Sequence, residues 1–137
     1  MNSFQRSVDI LHRGMSASLV RRSVIANNVA NANVPNFKRS VVNFESELKR
    51  ALDTEKQKPA LEMAQTHPDH FSNYRARDYR DVQARRVLDY TNTYNNNGNN
   101  VDPEQEFMAA LENQMSYIML AQAASFEYGM VNNALRN

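Results

Sequence analysis

Two histidines three residues apart, His67 and His70, with Asp69 between them, form the grouping closest to a metal site. Imidazoles and carboxylates bind zinc or nickel. Pro68 interrupts any helical presentation of the pair, and no third and fourth ligands are signalled. No metal site is therefore expected, and His67-Pro68-Asp69-His70 reads as a turn. A second grouping sets Arg75, Arg77, Arg80, Arg85 and Arg86 among Tyr74, Tyr79 and Tyr90. Arginines beside aromatics grip phosphates and stack bases. Asp78, Asp81 and Asp89 interleave with them and break the positive stripe. Ion pairing in a solvated or intersubunit region accounts better for that mixture, so no nucleic-acid partner is expected. A helical nucleic-acid-binding or adaptor protein using this Arg/Tyr-rich centre is the rival reading. Enzyme chemistry has little to work with: there is no Cys, no Gly-x-Ser-x-Gly and no phosphate-cradling glycine loop. Neither catalytic residues nor a cofactor are expected.

Amides are the more telling polar groups. The chain carries eighteen asparagines against three glycines, and they cluster. Asn27, Asn28, Asn31 and Asn33 fall within seven positions at the end of a helix-compatible stretch, although the asparagine amide competes for backbone hydrogen bonds. Val34 precedes Pro35 and is pushed toward extended geometry, so the helix should stop near Asn31 to Asn33. Asn36 then occupies a turn position that favours a left-handed residue. Because an amide offers both donors and acceptors, Asn27, Asn28 and Asn31 can bridge neighbouring subunits without charge matching.

Two long helices must position these groups. In the first, apolar residues recur at Phe4, Val8, Leu11 and Met15, then at Ile25 and Val29, with Ser18 and Arg22 in between. Such a helix is about 40 Å long. The second opens with Asp102 as N-cap, Pro103 at the first helical position and Gln105 at the third. Phe107, Leu111, Ile118 and Ala121 form one row, flanked by Met108, Met115, Met119, Phe126 and Met130. From Pro103 to Leu135 it would span about 50 Å. That apolar arc is wider than a two-helix seam requires, so the remainder must be covered by other subunits. Methionine suits this task, since it packs adaptably against imperfectly equivalent neighbours.

The expected fold is mainly α: long N- and C-terminal helices packing as a coiled-coil-like pair around a mostly irregular centre with a short helix or β-hairpin. The loop between the helices is too long to fix their relative direction. The divisions expected are 1–33 (N-terminal assembly helix), 34–100 (turn and variable, partly disordered centre) and 101–137 (C-terminal assembly helix), together one structural unit. Within the centre, Val41 to Leu52 reads as an extended piece leading into a helical turn, and Ala60 to Thr66 as a short strand. Asn95 to Asn100 reads as a low-complexity loop that cannot bury a core. A net charge of +1 gives no global pull toward nucleic acid or anionic lipid. His12, Arg13, Arg21 and Arg22 interrupt any apolar run near the start, so neither a cleaved signal nor direct membrane insertion is expected.

The order of residues in 25–39 adds a resemblance. Ala26-Asn27-Asn28-Val29-Ala30-Asn31, followed by Pro35, Phe37 and Lys38, is similar to the N-terminal signature of bacterial flagellar axial proteins. It departs from that pattern at Val34, Asn36 and Phe37, where Thr, Gly and Tyr are usual. Thr66-His67-Pro68-Asp69-His70, Asn99-Asn100-Val101-Asp102 and Glu112 to Tyr117 resemble further family segments, so the likeness covers the whole chain and favours the proximal rod type. The resemblance implies a structural subunit of the basal-body rod, located in the periplasm and exported by the flagellar type III apparatus. It implies helical self-association and contact with other proximal rod proteins and with the MS-ring/export-gate adaptor. Together with the helix patterns, it places the assembly surface at Phe4, Val8, Leu11, Met15, Asn27, Asn28, Asn31, Pro35, Phe37, Phe107, Leu111, Met115, Ile118, Met119, Phe126 and Met130.

Overall fold

The computed structural model describes residues 3–56, 66, 67, 69, 77–90 and 96–136. In chain order its elements are α1 (Ser3–Ala30), β1 (Ser40–Asn43), α2 (Glu45–Lys56), a single 3-10 turn (Tyr79–Asp81), β2 (Arg85–Leu88) and α3 (Pro103–Leu135). Contacts divide the chain into two compact units, Met1–Val42 with Arg86–Asn137, and Asn43–Arg85.

The boundaries of the long helices have local causes. The Asp102 side chain accepts from the Glu104 N–H, and Pro103 costs nothing at a position with no helical acceptor for its missing donor. At the end of α1 the Phe37 N–H donates to Val34 O across Pro35 and Asn36. With proline second and Asn36 at φ 59°, this is a type II turn. Asparagine tolerates the left-handed backbone that this third position demands, where a branched residue would be strained.

α1 and α3 run antiparallel, a direction the long connection left open. The Phe4 ring meets Tyr128 edge-on at 5.8 Å, the Asn113 amide reaches Ser18 O at 2.9 Å, and the Asn28 amide reaches Glu106 Oε2 at 3.1 Å. Low numbers on one helix therefore face high numbers on the other. A Cβ at Gly14 would stand 3.2 Å from Leu120 Cδ1, so glycine sets a close approach between the helices there. The seam repeats every seven residues, through Leu11, Ser18 and Ile25 on α1 and Glu106, Asn113 and Leu120 on α3, the spacing of an antiparallel coiled-coil-like pair.

The seam is made mainly of small and polar residues. Buried positions on α1 are Ala17, Ser18, Val24, Ile25 and Asn28, and on α3 they are Glu106, Asn113 and Ala124. Of the row expected from the sequence, Phe107, Leu111 and Ile118 are exposed and Ala121 is half-buried. The physical reason is that α3 turns Glu106, Asn113 and Leu120 to α1 instead, where Glu106 and Asn113 find polar partners and Leu120 packs over Gly14.

β1 and β2 form a two-stranded sheet. The Asp89 N–H donates to Arg39 O at 2.8 Å, joining the residue after β2 to the residue before β1, so the strands are antiparallel. In the smaller unit, Phe44, Ala51 and Tyr79 are buried. Arg77 there pairs with Glu47 at 3.3 Å, and the Arg80 guanidinium lies 5.9 Å from the Tyr79 ring centroid. The expected extended piece and helical turn over Val41 to Leu52 correspond to part of β1 and a longer helix, α2. The strand expected at Ala60 to Thr66 and the His70 end of the turn lie outside the described residues, Thr66 excepted.

Asn113 Oδ1 is buried with no donor, and Ser18 O already serves the α1 ladder. An orphaned buried acceptor costs about 1–3 kcal/mol. Replacing Asn113 with Leu should therefore raise the unfolding free energy of the isolated chain by about 1 kcal/mol, read from urea denaturation followed by circular dichroism; a lower midpoint would contradict the seam geometry.

Candidate functional site

A chain of side-chain hydrogen bonds ties the end of α1, the approach to β1, the exit from β2 and the start of α3 together. Asn28 is wholly buried, and its amide acts on the Ser40 backbone as a neighbouring strand would. Its Nδ2 donates to Ser40 O at 2.8 Å, and its Oδ1 accepts from the Ser40 N–H at 3.0 Å. The second Asn28 donor goes to Glu106 Oε2. Glu106 is 0 % exposed and is the largest of the wholly buried side chains among the described residues. Its other oxygen, Oε1, accepts from Arg39 Nε. Asp89 stands 3.8 Å from the same guanidinium. Glu106 also lies at the beginning of α3, where the helix dipole favours negative charge. A buried carboxylate needs a cationic partner and further donors, and here it has both.

The loop 96–100 completes the arrangement. Asn99 is wholly buried, and its Nδ2 donates to the carbonyls of Asn31, Ala32 and Val34 at 3.0, 2.9 and 2.8 Å. These carbonyls lie just past the end of α1, a helix with no basic residue in its last turn; Asn31 O and Val34 O also accept from the Val34 and Phe37 N–H groups of the turn. Asn99 Oδ1 accepts from the Val101 N–H at 2.7 Å, which shapes the entry to α3. Asn100 Oδ1 accepts from the Arg39 N–H, and its Nδ2 donates to Asp89 O. Lys38 Nζ donates to Gly98 O at 2.7 Å. Gly98 has φ 80°, and a Cβ there would approach Asn36 Oδ1 to 2.7 Å, so glycine is needed for this close docking. The expectation that 95–100 contributes no core is thus corrected for Asn99 and Asn100. They are buried because their amides find partners, with no apolar surface required.

Against this geometry the candidate residues separate into two groups. Phe4, Val8, Leu11 and Met15 are half-buried along α1. Asn28 spends its whole amide inside the subunit, where the sequence reading assigned it to a neighbour. Asn27 is exposed, its Oδ1 accepting from Arg86 at 3.3 Å, while Asn31 Nδ2 donates back to Asn27 O at 2.7 Å. Pro35 sits exposed in the turn and Phe37 is half-buried beside it. Phe107, Leu111, Met115, Ile118, Met119, Phe126 and Met130 are all exposed, Phe107 at 72 % and Phe126 at 68 %. Sequence reasoning missed Glu106, Arg39, Ser40, Asn99 and Asn100 as side chains that hold the site. Asn99-Asn100-Val101-Asp102 was visible as a motif, but Glu106 reads like any acidic residue near a helix start.

The arginines of the centre do not assemble into a basic groove among the described residues. Arg77 is paired with Glu47, Arg80 rests on the buried Tyr79, and Arg86 donates to Ser40 Oγ at 2.8 Å. Arg75 and Tyr74 lie outside the described residues. His67 Nδ1 is 3.5 Å from Asp69 Oδ2, and the described residues hold no cluster of three metal-ligating side chains.

Comparison with known proteins agrees with a structural reading. Residues 2–38, which contain α1 and its asparagine-rich end, match the family described as flagella basal body rod protein. The chain is 42 % identical to the flagellar basal body rod protein FlgB of Borreliella burgdorferi, across 99 % of this chain and 100 % of that protein. It is 38 % identical to FlgB of Borrelia hermsii over the same shares, and 28 % identical to FlgB of Bacillus subtilis over 98 % of this chain and 97 % of that one.

The hydrogen bonds rank four substitutions. Glu106→Ala, which strands Arg39 and the Asn28 amide, should cost about 3 kcal/mol, and Glu106→Gln clearly less. Asn99→Ala should cost about 2 kcal/mol through the lost bonds to the Asn31, Ala32 and Val34 carbonyls and from the Val101 N–H. Asn99→Asp should cost about 1 kcal/mol more than Asn99→Ala, because it sets a negative acceptor against the negative end of α1. Urea midpoints of the purified variants check the order; Asn99→Asp milder than Asn99→Ala would refute the capping role.

Proposed function

This chain belongs to the FlgB family of flagellar basal body rod proteins, and we propose that it is one interlocking unit of a helical stack at the proximal end of the rod, carrying torque through helix contacts with its neighbours. Its structural place in the rod follows from the family. The position within the rod, the partners and the mode of packing are the proposal.

One observation carries it: α3 is apolar on the side that faces away from α1. Its inward side is Glu106, Asn113, Leu120 and Ala124, whereas Phe107, Met108, Leu111, Met115, Ile118, Met119, Phe126 and Met130 are exposed. A helix that is packed on one side and apolar on the other is one meant to be covered there as well. A contiguous apolar surface of that extent marks an interaction site rather than ordinary scatter. No described helix is long and apolar enough to cross a membrane. Neighbouring rod subunits account for that face. Heterologous contacts that do not close generate helical arrays, and many apolar helix contacts acting together resist shear as a drive shaft requires.

Other proximal rod proteins and the adaptor between the MS ring and the export gate are the neighbours we assign. Export through the flagellar type III apparatus without a cleaved signal, into the periplasmic part of the basal body, suits this subunit. Apart from Val24, Ile25 and Val101, the buried apolar residues of its larger unit are alanines among the described residues, so unfolding it for passage costs little.

Replacing Phe107 with Ser and Met119 with Gln should leave the unfolding midpoint of the isolated chain within about 0.5 kcal/mol of the original, since both side chains are exposed. In a strain lacking the native gene, the same variant should restore neither swimming nor completed rods. Full swimming with that variant would overturn the assembly role of α3.

A further inference from the structure

The seam between α1 and α3 opens into a groove of 510 Å³ whose lining includes Ser18, Leu19 and Arg22 from α1 and Ala110, Asn113 and Tyr117 from α3. Leu19 and Tyr117 give it exposed apolar walls. Two unspent polar groups stand at this groove. Arg22 has no hydrogen-bond or ion-pair partner among the described residues. Asn113, 6 % exposed, keeps a buried Oδ1 with no donor. Such a wall is unfinished in the isolated subunit, both in its packing and in its charge.

The complement lies on the same chain. Glu112 is exposed, without a partner among the described residues, and has Met108 four residues before it and Met115 and Met119 three and seven after it. At about 100° per residue, this methionine stripe falls on roughly the opposite side of α3 from the groove. One subunit can therefore present its stripe to one neighbour while its groove receives a stripe from another.

We infer that the groove takes α3 of a second copy of this chain, with Arg22 of one copy against Glu112 of the next and the methionines against Leu19 and Tyr117. The inference rests on the rod reading and deepens it, by assigning the like-with-like contact to two named surfaces. Two different surfaces meeting head to tail cannot close into a symmetric pair, so the contact propagates. Methionine, flexible and polarisable, fits a groove whose walls are irregular. A lone cation and a lone carboxylate, each set in apolar surroundings, select the register between copies more than they add affinity.

Charge exchange tests this with the full chain. Sedimentation velocity over a concentration series should show self-association of the unmodified protein, weakened at least tenfold by Arg22→Glu or by Glu112→Arg. An equimolar mixture of those two variants should recover it, as each groove then meets an opposite charge, and so should the double variant. Asp53→Arg, an exposed charge reversal on α2 and so away from the stripe, should associate like the unmodified chain. Circular dichroism should be the same for all, as every altered side chain is exposed. The inference is overturned if the single variants associate normally, if the mixture does no better than its components, or if Asp53→Arg is equally damaging. A chain that stays monomeric at every concentration also overturns it, while the rod reading stands on the failure of outward-face variants to build rods.

Discussion

The buried carboxylate of Glu106 is the constraint on which the larger unit depends. An ion placed out of water has to be met by a positive charge and by hydrogen bonds, and each of these comes from a different part of the chain. Arg39 supplies the charge from the approach to β1, and Asn28 supplies a donor from the end of α1. Glu106 itself belongs to α3. These groups meet only in one register of the helices and one path of the turn after Pro35. Such pairs add little net stability, but they penalise every arrangement that leaves a member unmatched. The clamp therefore specifies the subunit, and the asparagines around it extend that specification to the backbone at Ser40 and past the end of α1.

From this follows the unusual distribution of apolar surface. Because the helices are registered by Asn28, Glu106, Asn113 and Ser18, polar groups take up much of their shared seam, and Leu120 packs there over Gly14. Phe107, Leu111, Phe126 and the methionines of α3 are left exposed. Most proteins hide their largest apolar residues and expose their charges; here Glu106 is hidden and Phe107, its neighbour in sequence, is 72 % exposed. Under the proposed assembly, that inversion would defer the apolar energy to the stacking of subunits rather than to the folding of each one.

What could be read from the sequence was set by the range of the interaction concerned. Local signals worked: Asp102-Pro103 opens α3, and Val34-Pro35-Asn36 ends α1 with the positive φ at Asn36. The excess apolar arc of α3 was also legible, because periodicity counts residues per face. Which face meets α1 was not, since the seam uses Ser18, Asn113 and Ala124, which carry no hydrophobic signal. Asn99 and Asn100 were misjudged for a related reason. Six neighbouring positions containing five asparagines look like solvated filler until their amides are matched with carbonyls some 65 residues away, and no local pattern encodes that match. Asn28 was noticed but assigned outward, because its amide chemistry is the same whether its partner is Ser40 or another subunit.

Hydrogen exchange of the backbone amides in the isolated chain tests the central claim most directly, that the clamp holds the subunit while its helix faces wait for neighbours. The Arg39 and Ser40 amides donate to side-chain oxygens of Asn100 and Asn28. They should exchange as slowly as the amides in the middle of α1, while the first turns of α1 and the last turns of α3 exchange fast. Rapid exchange at Arg39 and Ser40, or protection spread evenly to both helix ends, would contradict the account.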